Sequence, residues 1–206
     1  PKKTLVCIVT KSGQTFETWA LAFAALQWLG KNRWKTQVLA LTDPETGPLR
    51  QLVQREGLQS LPIEPQVGGR FSIFSPVGYL PMLMEGFSAR EFVRGALQAR
   101  DRWTSKKDFL TPLAYTLAKK SRTHPLTLVF PYSSRLREWG SWFTQLWAES
   151  LGKKGSELLP VAALGAVDQH SLLQRFQEGA NDFVSFFIRL HRHPMTVSIP
   201  AGPELH

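Results

Sequence analysis

The amino-acid sequence predicts an α/β protein whose parallel sheets are flanked by helices. Segments with strand-like and helix-like patterns alternate along the first third of the chain and again after residue 120. This order is typical of parallel sheets with helical crossovers. The strand-like segments are short and continuously apolar, as strands covered on both faces are. Together, these observations predict two α/β halves.

The first half is predicted to contain three strands and two helices. An apolar run at residues 4–10 predicts the first strand, and its unbroken apolar character predicts a central position in a covered sheet. Apolar residues then recur at intervals of three and four until Gly30, a common helix end. They are Phe16, Trp19, Ala20, Phe23, Leu26 and Leu29. A strand at 36–41, a helix at 49–57 and a strand at 61–63 complete the alternation.

The rest of the chain is predicted as a helical segment followed by a second alternation. Residues 71–120 show no strand-like pattern and are predicted as consecutive helices, broken near Pro76, Pro81 and Pro112. The later elements are a strand at 126–130, a helix at 137–151, a strand at 161–164, a helix at 169–177 and a strand at 183–190. The expected division is therefore a first domain at 1–70, a connecting helical segment at 71–120 and a second domain at 121–206.

Charge and composition exclude several classes of protein. The net charge is +9, but the basic residues are scattered along the chain, whereas a nucleic-acid binder needs a continuous basic face. No apolar stretch of about 18 residues is present, so we expect no membrane span. The single cysteine, Cys7, excludes an internal disulfide and favours a reducing compartment, which predicts a cytoplasmic protein. We therefore expect neither nucleic acid nor membrane as a partner.

The first candidate site is the segment TKSGQTFET, which begins at Thr10 where the first strand turns into the first helix. Such a turn presents backbone N–H groups and the positive end of the helix dipole at one point, which suits an anion. The hydroxyls of Ser12 and Thr15 can add hydrogen bonds, as can that of Thr10, and Gly13 allows close approach to the backbone. The alternative is a plain helix-capping turn assisted by Glu17.

Two further segments carry charged residues suited to catalysis. In VGGRFSIFSPVG, Gly69 allows a close backbone approach, and Arg70 can neutralise charge that develops on a substrate oxygen. The alternative there is a turn with a solvated arginine. In the helical segment EWGSWFTQLWAESLGKK, Gln145 and Glu149 share a face at the edge of an apolar arc. A partly shielded carboxylate can act as a general base, and the alternative is a surface glutamate.

The last candidate is His170 in the segment ALGAVDQHSLLQRF, at the start of the helix that follows a predicted strand. Loops that follow parallel strands commonly carry the sites of α/β proteins. A histidine can transfer protons at physiological pH. The alternative is a histidine that caps the helix or lies at the edge of the core.

These four segments, in this order, resemble the bacterial form of the glucose-6-phosphate isomerase family. TKSGQTFET is similar to the family pattern SKSGTTTET, and residues 68–81 are similar to GGRFSVLSPVGLLP. Residues 131–153 resemble PYSDRL followed by QLWAESLGK, and residues 165–174 resemble GATDQHSQLQL. The resemblance covers nearly the whole chain. It implies two sugar-isomerase domains of the flavodoxin-like α/β type.

The resemblance implies that one loop binds the phosphate group of a sugar phosphate. Thr10, Lys11, Ser12 and Thr15 fall on the loop that has this role in the family. Gly69 is expected to contact the substrate as well. The substrates implied are glucose 6-phosphate and fructose 6-phosphate.

The resemblance also implies the catalytic residues. Arg70 falls on the arginine that stabilises the enediolate intermediate, and Glu149 falls on the base that moves a proton between C2 and C1. Gln145 falls on a substrate-contacting residue, and His170 falls on the histidine of ring opening, which in family dimers reaches the neighbouring subunit's site. The reaction implied is a reversible aldose–ketose isomerisation of glycolysis and gluconeogenesis, without metal or organic cofactor.

The sequence departs from the family pattern in several places. Gln14 and Phe16 replace two threonines of the loop. The family's upstream segment GIGGS and downstream segment GVELGK, which contact substrate and take part in ring opening, do not occur in the sequence. We therefore expect an internal fragment of a glucose-6-phosphate isomerase. The alternative function is a sugar-phosphate-binding module without catalysis.

Overall fold

A computed structural model describes residues 2–105, 108–153, 155–156, 158–192 and 197–198. The chain divides into two compact units, Pro1–Asp108 and Phe109–His206, and each unit is considered by itself. Their boundary lies within the predicted connecting segment 71–120. The three-part division into domains therefore stays a prediction, and part of its last domain lies outside the described residues.

The first unit contains a parallel sheet of three strands. The strands β1 (Val6–Val9), β2 (Val38–Thr42) and β3 (Gln59–Pro62) lie in the order β1-β2-β3. Since β1 pairs with β2 alone among the described residues, the predicted central position of β1 is wrong, and β2 lies at the centre. The apolar run suggested a strand that is covered on both faces, but Cys7 and Val9 are exposed, and Ile8 is the one buried residue of β1.

Two helices cover this sheet and form its core. Helix α1 (Phe16–Leu29) ends before Gly30, as predicted, and a short helix α2 (Trp34–Gln37) leads into β2. Helix α3 (Pro48–Glu56) begins with a proline, which is favoured in the first turn. The buried cluster comprises Ile8, Ala22, Leu26, Leu29, Val38, Ala40, Leu49, Leu52, Val53 and Leu58. Burial of each leucine contributes about 1.5–3 kcal/mol.

The first unit continues as helices. After β3 come a 3₁₀ helix (Gly69–Phe74), α4 (Pro76–Met84) and α5 (Ala89–Thr104). The predicted break near Pro81 is wrong, because α4 continues through this residue. A proline removes a single intrahelical donor, and the Pro81 carbonyl still accepts a hydrogen bond from the Glu85 N–H at 3.1 Å.

The second unit contains another parallel sheet of three strands. Helix α6 (Leu110–Lys120) precedes β4 (Leu126–Pro131), which lies between β5 (Leu159–Ala162) and β6 (Phe183–Ile188). Helices α7 (Arg137–Leu151) and α8 (Val167–Glu178) connect the strands. The second predicted alternation is therefore confirmed. Within the described ranges, the helices are all too short or too polar to cross a membrane.

An apolar cavity lies within the second unit beside α7. The rings of Trp139, Phe143 and Trp147 stack along this helix, with centroids 5.6 and 5.2 Å apart. They line a cavity of about 680 Å³ together with residues of α6, β4 and β6. The Nε1–H of Trp147 is buried and has no hydrogen-bond partner among the described residues.

Candidate functional site

A polar cavity of about 810 Å³ lies in the first unit, beyond the carboxyl ends of its strands. Ligands of α/β proteins commonly bind in this position. The predicted residues Thr10, Lys11, Ser12, Thr15 and Gly69 all line the cavity. The structure thus brings the predicted substrate-binding residues of the first unit to one place.

The loop between β1 and α1 is held in shape by its own polar groups. The Thr10 hydroxyl accepts a hydrogen bond from the Gly13 N–H at 3.1 Å, and the Ser12 hydroxyl accepts one from the Gln14 N–H at 3.3 Å. The indole N–H of Trp19 donates to the Gly13 carbonyl at 2.6 Å. Gly13 has a φ of +66°, which an L side chain rarely adopts. The sequence therefore builds a defined turn at the start of α1.

The N-terminus of α1 faces this turn with its first amides available. Thr15 is the N-cap residue, yet its side chain makes no capping hydrogen bond within the described part of the chain. The first N–H groups of a helix have no intrahelical partners, and they carry partial positive charge. The plain capping turn, which was the alternative interpretation, is therefore not formed by Thr15. The arrangement suits an anion such as a phosphate.

A second loop packs against the first, and the sequence analysis did not identify it as part of the site. Asp43, Thr46 and Gly47, between β2 and α3, line the same cavity. A Cβ on Gly47 would lie 2.9 Å from the carbonyl oxygen of Ser12, so the two loops pack backbone against backbone. The signal was available, because DPETG follows the strand beside β1 and must lie at the same edge of the sheet.

Asp43 shapes this second loop through its carboxylate. Its Oδ1 accepts hydrogen bonds from the N–H groups of Glu45 and Thr46, both at 2.9 Å. These amide donors, helped by the positive charge of Lys11, lower the pKa of the Asp43 carboxyl below its ordinary value, against the opposing effect of burial. The cavity wall thus holds a carboxylate whose ionised form is stabilised chiefly by amides of its own loop.

The side chains of Lys11 and Arg70 each contact residues of the segment 65–71. The Nζ of Lys11 donates to the carbonyl oxygens of Pro65 at 2.5 Å and Val67 at 2.8 Å. The guanidinium of Arg70 lies over the ring of Phe71, 4.8 Å from its centroid. Arg70 directly follows Gly69, which lines the cavity, but Arg70 is not itself among the lining residues.

The remaining predicted residues lie in the second unit. Gln145 and Glu149 share a face of α7 as predicted, and the Gln145 amide donates to a Glu149 carboxylate oxygen at 2.9 Å. His170 is the fourth residue of α8. Glu149 and His170 are both exposed, so the expected partial shielding of Glu149 is not provided by the described residues of this unit. The catalytic roles of Glu149 and His170 stay a prediction of the resemblance.

No metal-binding cluster is present in the portion of the chain that the structure describes. Three or more His, Cys, Asp or Glu side chains do not converge anywhere within it. The independence of the reaction from metals and organic cofactors stays a prediction of the resemblance.

The fold is that of an α/β protein of the sugar-isomerase type, with a cavity at the start of a helix. The family model described as phosphoglucose isomerase matches residues 1–193. The chain therefore belongs to the phosphoglucose isomerase family, and the predicted fold class is confirmed.

Curated relatives agree with this membership. The chain is 36% identical to the glucose-6-phosphate isomerase of Rubrobacter xylanophilus over 99% of its own length and 49% of that protein. It is 40% identical to an enzyme of the same name from Thermus thermophilus, over 88% of this chain and 46% of that protein. The chain thus spans about half the length of these relatives.

Solved structures agree as well. The chain is similar to a hypothetical protein of Thermus thermophilus, with a TM-score of 0.88, 37% identity, and coverage of 98% of this chain and 51% of that one. It is also similar to a glucose-6-phosphate isomerase of Chlamydia trachomatis, with a TM-score of 0.71, 25% identity, and coverage of 90% and 39%.

Proposed function

We propose that the intact protein interconverts glucose 6-phosphate and fructose 6-phosphate through a cis-enediolate, as a step of glycolysis and gluconeogenesis. Membership of the phosphoglucose isomerase family supports the reaction. The observation that carries the proposal within this chain is the cavity at the start of α1, where Thr15 leaves the helix without a side-chain cap. The sugar phosphate group would accept hydrogen bonds from these amides and from the Ser12 and Thr15 hydroxyls.

The proposed binding residues and catalytic residues have separate tasks. Thr10 shapes the phosphate loop through its bond to Gly13, and Lys11 contributes its backbone there. A fixed cation beside the sugar stabilises the oxyanion of the enediolate, and Arg70 has this role. Binding energy at the phosphate holds the sugar so that its reacting carbons stay in place.

The proton transfer is assigned to residues of the second unit. Glu149 takes the proton from C2 and returns it to C1 as the enediolate collapses to the ketose. Its hydrogen bond from Gln145 fixes the orientation of the carboxylate, and Gln145 also contacts the sugar. His170 moves the proton that opens and closes the sugar ring, since an imidazole can both donate and accept near neutral pH.

The assignment of the base is tested with Glu149→Gln in the intact protein. Loss of a general base lowers turnover by about 10²–10⁴-fold, with the KM for the sugar phosphate little changed. The matched control is Glu138→Gln, an exposed glutamate of the same helix, which we expect to turn over like the wild type. Unchanged turnover in Glu149→Gln would contradict the proposal.

A second candidate function is sugar-phosphate binding without catalysis. It is favoured because the residues that line the cavity all belong to the first unit, whereas Glu149 and His170 belong to the second. Measurable affinity for fructose 6-phosphate, with no exchange of the substrate's C1 or C2 protons with solvent deuterium, would establish this function instead.

We further propose that the intact protein is a cytoplasmic homodimer in which His170 serves the site of the neighbouring subunit. The family resemblance supports the dimer, and the lone Cys7 supports a reducing compartment. Sedimentation analysis tests the dimer. Mixed dimers of one His170→Ala chain and one Glu149→Gln chain test the shared site. If His170 acts in the neighbouring subunit, one of the two sites in each mixed dimer has both wild-type residues, and isomerase activity returns.

A further inference from the structure

The side chain of Lys11 leaves the phosphate loop and reaches a distant segment of the chain. Its Nζ donates to the carbonyl oxygens of Pro65 and Val67, at 2.5 and 2.8 Å, across more than fifty residues of sequence. An ammonium group has three donors, and two are used by these carbonyls. Asp43 lines the same cavity as Lys11.

The segment that Lys11 holds leads directly to the proposed catalytic arginine. Residues 64–66 are exposed, and Gly68 and Gly69 follow immediately before Arg70. Two successive glycines give the backbone wide freedom. Ser72 restrains this stretch on its far side, because its hydroxyl donates to the Gly69 carbonyl at 2.6 Å. Lys11 supplies the restraint on the near side.

We propose that the Lys11 ammonium is a positioning group that ties the phosphate loop to the 65–67 segment and so fixes Gly69 and Arg70 beside the bound sugar. The phosphate group is then bound by the loop's amides and hydroxyls and by the backbone of Lys11, not by its ammonium. This inference rests on the proposed isomerase function, and it assigns Lys11 a role in catalysis through Arg70.

The geometry explains why a lysine fits this position. The flexible side chain of lysine ends in a compact ammonium group that can donate to two carbonyls of the same loop segment. The planar guanidinium of arginine is better suited to a carboxylate or a phosphate. Hydrogen bonds from a charged donor are shorter and stronger than those between neutral groups. The link therefore holds an otherwise exposed segment in one conformation.

The kinetic test uses Lys11→Met in the intact protein, with Lys3→Met as a control that removes the same charge from an exposed position. We expect kcat to fall by about tenfold or more, because a displaced oxyanion cation loses much of its effect. We expect the KM and the inhibition constant of inorganic phosphate to change by less than about threefold, since the loop amides that bind the anion remain.

A double-variant cycle separates positioning from direct binding. In an Arg70→Met background, Lys11→Met should lower kcat by less than about twofold, because the two residues act as one unit. A phosphate inhibition constant weakened by about tenfold with kcat unchanged would show that the ammonium binds the anion. That result, or additive effects of the two substitutions, would overturn the inference.

A third measurement does not depend on activity. The wild-type Lys11 amine should be methylated by formaldehyde and a reductant more slowly than the Lys3 amine, with or without inorganic phosphate. Trypsin should cleave after Arg70 faster in Lys11→Met than in Lys3→Met, when both have the wild-type melting temperature. The proposed contact of Lys11 is contradicted if the Lys11 and Lys3 amines are methylated at equal rates, or if methylation of Lys11 slows only when phosphate is present. Equal rates of cleavage after Arg70 in the two variants would also contradict it. If the wild type lacks isomerase activity, the proposed function fails, while these readouts still decide the contact.

Discussion

Replacing Gly47 by alanine tests whether the second loop sets the shape of the phosphate loop. Gly47 has a φ of +98°, in the left-handed region, directly before Pro48 at the start of α3. A Cβ built on it lies 2.9 Å from the carbonyl oxygen of Ser12. Because that neighbour is backbone, the contact can be relieved only if one of the two loops moves.

The expected effect on stability is the sum of three contributions. A non-glycine residue in a sparsely populated backbone region costs roughly 1–3 kcal/mol. Inserting a methyl group against a packed backbone costs a further 1–3 kcal/mol or so. Alanine restricts the unfolded chain and recovers about 0.4–1 kcal/mol. We therefore expect Gly47→Ala to lower the free energy of unfolding by roughly 1–6 kcal/mol, with a central value of about 3 kcal/mol.

Urea denaturation and phosphate binding measure the two consequences. The control is Gly95→Ala in α5, where a Cβ would have no atom within 4 Å, so helix propensity should raise stability by about 0.5–1 kcal/mol. Displacement of Ser12 should also weaken inorganic phosphate binding in Gly47→Ala only. If Gly47→Ala unfolded at the wild-type urea concentration, or bound phosphate as tightly as Gly95→Ala, the reasoning would be refuted.

Two other predictions concern buried polar groups. The Trp147 N–H is buried without a partner among the described residues, whereas the Trp34 N–H donates to the Leu26 carbonyl at 3.1 Å. In thermal unfolding, Trp147→Phe should therefore destabilise the protein by about 1 kcal/mol less than Trp34→Phe. Equal losses of stability would contradict this prediction. Asp43→Asn should lower stability at neutral pH, and the difference from wild type should shrink as the pH falls below the ordinary aspartate value of 3.8 towards the lowered folded pKa; a difference independent of pH would show that the charge of Asp43 has no role.

Secondary structure was predictable wherever the periodicity was strong. The apolar spacing placed the first helix at 16–29, and the structure has it at Phe16–Leu29. The position of β1 in its sheet was not predictable, because an apolar run reports what a strand contains and not how many neighbours it has. Pro81 shows the same limit, since a helix can lose one donor and continue.

The candidate site was partly predictable for a similar reason. The residues of the phosphate loop are local in sequence, and the strand-to-helix turn that holds them has a recognisable pattern. The contact between Lys11 and Val67 joins residues 56 positions apart. No local pattern encodes such a contact, because it depends on how β1 and β3 lie in the sheet. The loop around Asp43 carries no motif of a ligand site, so only its place after the strand beside β1 could have indicated that it lines the cavity.

The proposed isomerisation makes a demand that the described residues of the second unit do not meet by themselves. Removal of a carbon-bound proton by a carboxylate is efficient where water is excluded, since a hydrated carboxylate is a weak base and a reactive enediolate must be protected. Glu149 is exposed in this unit, whereas Thr10 of the phosphate loop is buried in the first. The proposed phosphate site is therefore built largely by local sequence, whereas the proposed base needs shielding that the described residues of its unit do not supply. This difference predicts that a separated first unit binds the sugar phosphate without exchanging its C1 or C2 protons with solvent. Such exchange is expected only in the intact protein.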